Sequence, residues 1–150
     1  MIREATIKDV PEIFQMSISF LNEAKILDTI PLNKEDLYSW VINLINDTNS
    51  TCLVYDEDSI IKGAIAGTIA PHYTNKSYLV ASEFAWWVVP EYRGKIGKPL
   101  LQAFELWAVT NNANMVIMAA LEEISPELLG RVYKSLGYST TEHSYTKVIK

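Results

Sequence analysis

One cysteine, two histidines, six glycines and six prolines in 150 residues leave this chain short of several kinds of chemistry. The lone Cys52 excludes an intrachain disulfide. Its setting in Thr51-Cys52-Leu53-Val54-Tyr55 reads as a strand, so a buried, inert thiol is expected rather than a nucleophile. His72, His143 and Cys52 lie far apart in sequence and make no metal-ligand spacing, so no metal is expected. No apolar run approaches the ~18 residues of a membrane span, and no signal pattern opens the chain, which leads us to expect a cytoplasmic protein without a membrane partner. An excess of cations is missing as well. Thirteen Lys and Arg against 18 Asp and Glu give a net charge of -5, which argues against stable nucleic-acid binding.

What is present reads as one domain over 1–150. Hydrophobic residues make up 49% and charged residues 21%, enough to bury a core, and no repeat or linker divides the chain. Residues 2–6 suit a short opening strand. Asp9 is placed to cap a helix with Pro11 in its first turn, along which Val10, Ile13, Phe14, Ile18 and Leu21 form one stripe. Asn33 suits the cap of a second helix, where Leu37, Trp40, Val41, Leu44 and Ile45 keep the same period. Strands are expected near 51–56, 59–71 and 78–89, followed by a third helix over 96–110 and a short buried strand over 115–120. Ser125 and Pro126 open a fourth helix that Gly137 stops, and residues 138–149 are expected to close the chain as a strand or tight hairpin. The result is an α/β fold, a mixed sheet with helices on both faces.

Chemistry concentrates where the third long strand ends. After Phe84-Ala85-Trp86-Trp87-Val88-Val89, the stretch Pro90-Glu91-Tyr92-Arg93-Gly94-Lys95-Ile96-Gly97-Lys98 supplies two glycines and three cations just before a helix. Free N–H groups, close backbone approach and the helix dipole make such a loop a phosphate cradle, although turns alone also use Gly and Lys. Strict alternation would put Glu83, Ala85, Trp87 and Val89 on one face and Phe84, Trp86 and Val88 on the other. A carboxylate within so apolar a strand either pairs with a cation, sits at the strand's exposed start, or acts as a general base with its pKa lifted by burial. Tyr133, near the end of the fourth helix, is either a core aromatic or a proton donor suited to a thiolate leaving group.

Taken in order, these residues resemble the GNAT acetyltransferase superfamily over essentially the whole chain. The resemblance rests on the element order, on Val89-Pro90-Glu91-Tyr92-Arg93-Gly94 leading into a helix, and on Tyr133 with its Lys134-Ser135-Leu136-Gly137-Tyr138 tail. Ala81-Ser82-Glu83, Phe104-Glu105-Leu106-Trp107-Ala108 and Ser125-Pro126-Glu127 are similar to a branch common in bacterial and phage sequences. The resemblance implies a central mixed sheet flanked by about four helices, and acetyl-CoA as co-substrate. Its pantetheine arm would meet backbone groups of Trp87, Val88 and Val89, with the Trp87 amide polarising the thioester carbonyl. Its pyrophosphate would lie over Arg93, Gly94, Lys95, Ile96, Gly97 and Lys98. Glu83 would serve as general base and Tyr133 as general acid in direct transfer to a primary amine.

Two features colour that implication. The loop departs from the family's Arg-Gly-x-Gly-x-Gly pattern and reaches Leu100-Leu101 about one residue early, so micromolar CoA binding is expected. On the acceptor side, Asn22, Glu23, His72 and Tyr73 are candidate linings, whose acidic character suits a polyamine, an aminoglycoside or a lysine side chain. The short tail after Gly137 leaves the cleft open, or completed by a second subunit of a homodimer. An alternative of another class is a non-catalytic binding module that kept the fold while its loop degraded. A weaker third is acetylation of an aminated base presented as a free nucleotide.

Overall fold

Part of each apolar helix stripe read from the N-terminal third settles on the same side of one sheet. Met16 and Phe20 stand in place of Phe14, Ile18 and Leu21 on the buried face of the first helix, and Trp40 is left exposed on the second. In the computed structural model, which describes residues 1–150, helix α1 (Val10–Glu23) buries Val10, Ile13 and Met16, and helix α2 (Lys34–Asn46) buries Val41 and Leu44. They pack on Cys52, Val54, Ile61 and Ala66 of the sheet. Asn33 caps α2 as expected, its Oδ1 accepting the Glu35 and Asp36 amides at 3.0 and 3.1 Å. Asp9 does not cap α1. Its carboxylate takes both Arg3 terminal nitrogens at 2.8 Å and the Thr6 amide at 2.7 Å, which closes a 3-10 turn over Ile7–Asp9 instead.

The sheet runs in chain order: β1 (Ile2–Glu4), β2 (Ser50–Glu57), β3 (Ile60–His72) and β4 (Asn75–Val88) are antiparallel neighbours, and β5 (Met115–Ile117) lies parallel to β4. Helix α3 (Gly97–Thr110) makes the crossover between β4 and β5, as a parallel pair requires. It buries Leu100, Leu101, Phe104 and Ala108 on the face opposite α1 and α2, where helix α4 (Pro126–Ser135) adds Tyr133. A mixed sheet between two helical layers is thus the architecture, in agreement with the GNAT-like expectation.

Two details of the sheet position everything that follows. The β4–β5 ladder is only three residues long, from Val80 opposite Met115 to Ser82 opposite Ile117. Beyond Ser82 that edge of β4 has no strand beside it. The second detail is a bulge. Ala66 pairs with Ala85 while Gly67 pairs with Glu83, so Phe84 is an extra residue in β4. Gly67 makes room for it: a Cβ there would lie 2.4 Å from the Ser82 carbonyl oxygen and 2.6 Å from the Phe104 ring.

Several expectations are corrected. The bulge breaks the alternation, so Glu83 leaves the face of Ala85 and Trp87, which meet α1, and joins Trp86 and Val88 on the α3–α4 side. Ser125 does not cap α4 with its side chain; it adopts φ 40° and turns the chain into Pro126, while Gly137 at φ 91° ends the helix region as expected. Residues 138–150 form no strand or hairpin. The edge they would join offers only three residues, and Tyr145, Val148 and Ile149 remain exposed among Ser, Thr, Glu, His and Lys.

Candidate active site

Where the β4–β5 ladder stops, the backbone of a single residue joins the two side chains of greatest chemical interest. The Ala119 N–H donates to Glu83 Oε2 at 3.1 Å, and the Ala119 carbonyl accepts the Tyr133 hydroxyl at 2.6 Å. Burial pushes the Glu83 carboxyl up to about 7, against the smaller opposing pull of the Ala119 amide. Burial, and then the Glu83 charge, raise the Tyr133 hydroxyl above its usual value, so it stays protonated well past neutrality. That moves it away from the acidity of a thiol, where the sequence reading had matched the two. The Trp86 ring lies 6.2 Å from that of Tyr133. Above Glu83 a solvent-open cleft is walled by Phe20, Phe84, Trp86, Leu121, Ile124 and Leu129.

The backbone of β4 determines which amides reach the opening. Val89 N–H donates to the Lys62 carbonyl on β3 at 3.0 Å, and the groups of an antiparallel strand alternate in direction. Trp87 therefore pairs with Ala64 inside the sheet, and Trp86 and Val88 turn their N–H groups outward. The amide assigned to thioester polarisation is thus committed to the ladder, and its two neighbours are the free ones. In the loop, the Arg93, Lys95 and Ile96 amides are taken by the Pro90 and Tyr92 carbonyls at 3.1–3.3 Å. Gly94, at φ 77°, and Gly97 and Lys98, in the first turn of α3, keep unpartnered amides, and Pro99 has none to give. Gly97 also lets the helix start close over Trp86, since a Cβ there would come within 3.2 Å of the indole.

Arg93 and Glu23 meet each other rather than separate ligands. Both Arg93 terminal nitrogens reach the Glu23 carboxylate, at 2.7 and 2.6 Å, and Arg93 Nε donates to the Val88 carbonyl at 3.0 Å. Trp87 Nε1 donates to the same carboxylate at 2.7 Å. Arg93, with Trp87's indole N–H second, holds Glu23 below the usual carboxylate range. The result is a strut from the end of α1 to the end of β4. Asn22 is exposed beside it, and Lys25 pairs with Glu123 at 2.8 Å on the far side of the cleft. His72 and Tyr73 stack in the β3–β4 hairpin, about eight residues along β4 from Glu83, or roughly 25 Å, and do not join the site.

The sequence reading missed Ala119, Phe20, Phe84 and the Trp86 amide. A backbone bridge such as Ala119 leaves no trace in residue type. The bulge did leave one: a glycine inside an apolar strand, Gly67, is a common sign of irregular pairing. Cys52 is buried with its thiol pushed up to about 12, an inert group as expected. No helix is long and apolar enough to cross a membrane, and no three His, Cys, Asp or Glu side chains gather as a metal site would require.

A strand that parts from its parallel neighbour beside a carboxylate, followed by a glycine-bearing turn into a helix, defines a class of protein. The profile of the Acetyltransferase (GNAT) family matches residues 16–138, and the chain belongs to that family. A search of curated protein sequences finds no significant match. Among solved structures, a predicted acetyltransferase with acetyl-CoA from Clostridium acetobutylicum is 20% identical, with a TM-score of 0.78 over 98% of this chain and 94% of that one. The aminoglycoside N-acetyltransferase AAC(6')-Iy in complex with CoA is 15% identical, with a TM-score of 0.80 over 98% and 92%. A ribosomal-protein-alanine N-acetyltransferase from Brucella melitensis biovar Abortus 2308 is 16% identical, with a TM-score of 0.73 over 98% of each chain. At these identities the likeness is one of fold, and the acceptors those names carry differ from one another.

Proposed function

We propose that this chain transfers an acetyl group from acetyl-CoA directly to a primary amine, with Glu83 as general base and Tyr133 as donor to the leaving sulfur. The observation that carries the reading is the Ala119 backbone, whose N–H and carbonyl hold the two side chains at the point where β4 loses its neighbour. The free amides fit a CoA ligand: Gly94, Gly97 and Lys98 at the start of α3 suit a pyrophosphate, with Lys95 and Lys98 adding charge. Val88 and Trp86 offer N–H groups along the open edge for the pantetheine arm and the thioester oxygen, in place of Trp87. Arg93 then acts by holding Val88 and Glu23 in place rather than by touching phosphate.

Acetyl-CoA supplies a thioester whose C–S bond breaks as the amine nitrogen bonds to the carbonyl carbon. Glu83, with a pKa near neutrality, accepts the proton that the nitrogen sheds. Tyr133, kept protonated by burial, turns its hydroxyl from the Ala119 carbonyl to the departing sulfur and donates its proton there, so that CoA leaves as the thiol. Both side chains return to their starting states by exchange with solvent through the open cleft.

The test is calorimetric titration with acetyl-CoA and with CoA, followed by thiol release in the presence of amines. Saturable micromolar binding of both, and thiol release that Glu83→Gln suppresses, are expected. Absence of binding at millimolar acetyl-CoA refutes the reading. It would favour the non-catalytic alternative, which the short loop and the missing Pro99 amide support.

A further inference from the structure

The cleft above Glu83 has an unusual imbalance for an amine site. Glu83 is the only charged side chain lining it, and the walls are aromatic and aliphatic. Two carboxylates near its rim are engaged elsewhere. Glu23 is held by Arg93 and Trp87, and Glu123 by Lys25. Phe84, the extra residue of the β4 bulge, is 44% exposed at the cleft and meets Trp40 of α2 edge-on at 5.8 Å. Phe20 faces it from α1.

From this arrangement we infer that the acceptor is a monocationic primary amine carried on an apolar, ring-sized group, seated between Phe20, Phe84 and Leu121 with its nitrogen at Glu83. The inference rests on the transferase reading above and names its substrate class. A polyamine or aminoglycoside would bring further ammonium groups against Phe and Leu walls that carry no second carboxylate, and a charge so placed loses hydration without recompense. Phe84 and Phe20 supply the flat apolar contact that an aryl ring carried on an alkylamine prefers.

The experiment compares phenethylamine with spermidine and neamine, by thiol release at saturating acetyl-CoA and by calorimetric binding to the protein saturated with CoA. We expect kcat/KM at least tenfold higher for phenethylamine, binding of phenethylamine to the CoA-loaded protein, and a tenfold rise in its KM in Phe84→Ala. Preference for spermidine or neamine overturns the inference and leaves the transferase reading standing. So does a preference for hexanoyl-CoA over acetyl-CoA that Phe84→Ala abolishes, since the walls would then hold the acyl chain. Binding of phenethylamine without thiol release from any amine supports the site and refutes the transferase reading. Failure of phenethylamine to bind the CoA-loaded protein refutes the inference whatever the turnover.

Discussion

Replacing Glu83 by Gln probes stability and chemistry with one change. The folded carboxyl titrates near 7 instead of 4.5, because burial disfavours its charge. Between those values the folded chain holds a proton that the unfolded chain has released, so stability falls as pH rises through the interval. It levels off above the folded pKa. A shift of two to three units is worth about 3 kcal/mol. Glutamine has no such titration and can still accept the Ala119 amide, so Glu83→Gln should gain roughly 2–3 kcal/mol on wild type between pH 5 and pH 8. Urea denaturation at the two pH values measures this. In the same range the wild-type kcat/KM for acetyl-CoA should rise with pH and level above about 7, the value set by Glu83. The variant should lose the rising limb and about 100- to 10,000-fold in rate. A stability difference that does not change with pH would refute the burial argument. An unaltered limb in the variant would remove Glu83 from the mechanism.

Other consequences are as direct. Tyr133→Phe strips the Ala119 carbonyl of its donor and should lower stability by about 1–2 kcal/mol and kcat by about 10- to 100-fold; an unchanged kcat would take the hydroxyl out of the reaction. Gly67→Ala forces a methyl onto the Ser82 carbonyl and the Phe104 ring, so the chain should lose about 3 kcal/mol in urea denaturation, and a loss below 1 kcal/mol would contradict the bulge geometry. Asp9, held far below the usual carboxylate range by its paired hydrogen bonds to Arg3, contributes stability that is complete above its unfolded value near ~3.9 and disappears on acidification. Asp9→Asn should therefore cost about 2 kcal/mol at pH 7 and roughly half that at pH 2.5, where the folded carboxylate still keeps its charge, read by denaturation at each pH.

The parts of this molecule legible in its sequence are those determined by periodicity and local chemistry. Apolar stripes place α1 and α2, Asn33 marks the start of α2, and the β-branched run before Pro90 announces β4 and the turn into α3. What was not legible depends on pairing between distant segments. Strict alternation gave Glu83 to the wrong face because the extra residue in β4 is defined only by its register against Ala66 and Gly67. The resemblance assigned the thioester amide to Trp87, whereas Val89's bond to Lys62 turns Trp86 and Val88 outward. Arg93 looked like a phosphate ligand because it sits in a glycine-bearing loop. A carboxylate 70 residues earlier claims both of its terminal nitrogens.

That last pairing links the two halves of the candidate site. Arg93 belongs to the loop where a pyrophosphate would sit, and through Nε it fixes the Val88 carbonyl at the end of the open edge. Glu23 ends the helix that contributes Phe20 to the cleft, and it also holds the Trp87 indole on the opposite face of the sheet. A charge-assisted, two-pronged contact restrains orientation as well as distance. The apolar wall of the cleft and the loop are therefore mechanically joined across the end of β4. The partly exposed pair contributes little to global stability, because solvent screens it. Its effect is local: it keeps the edge that carries the free amides and the helix that carries the apolar wall in one fixed relation to Glu83.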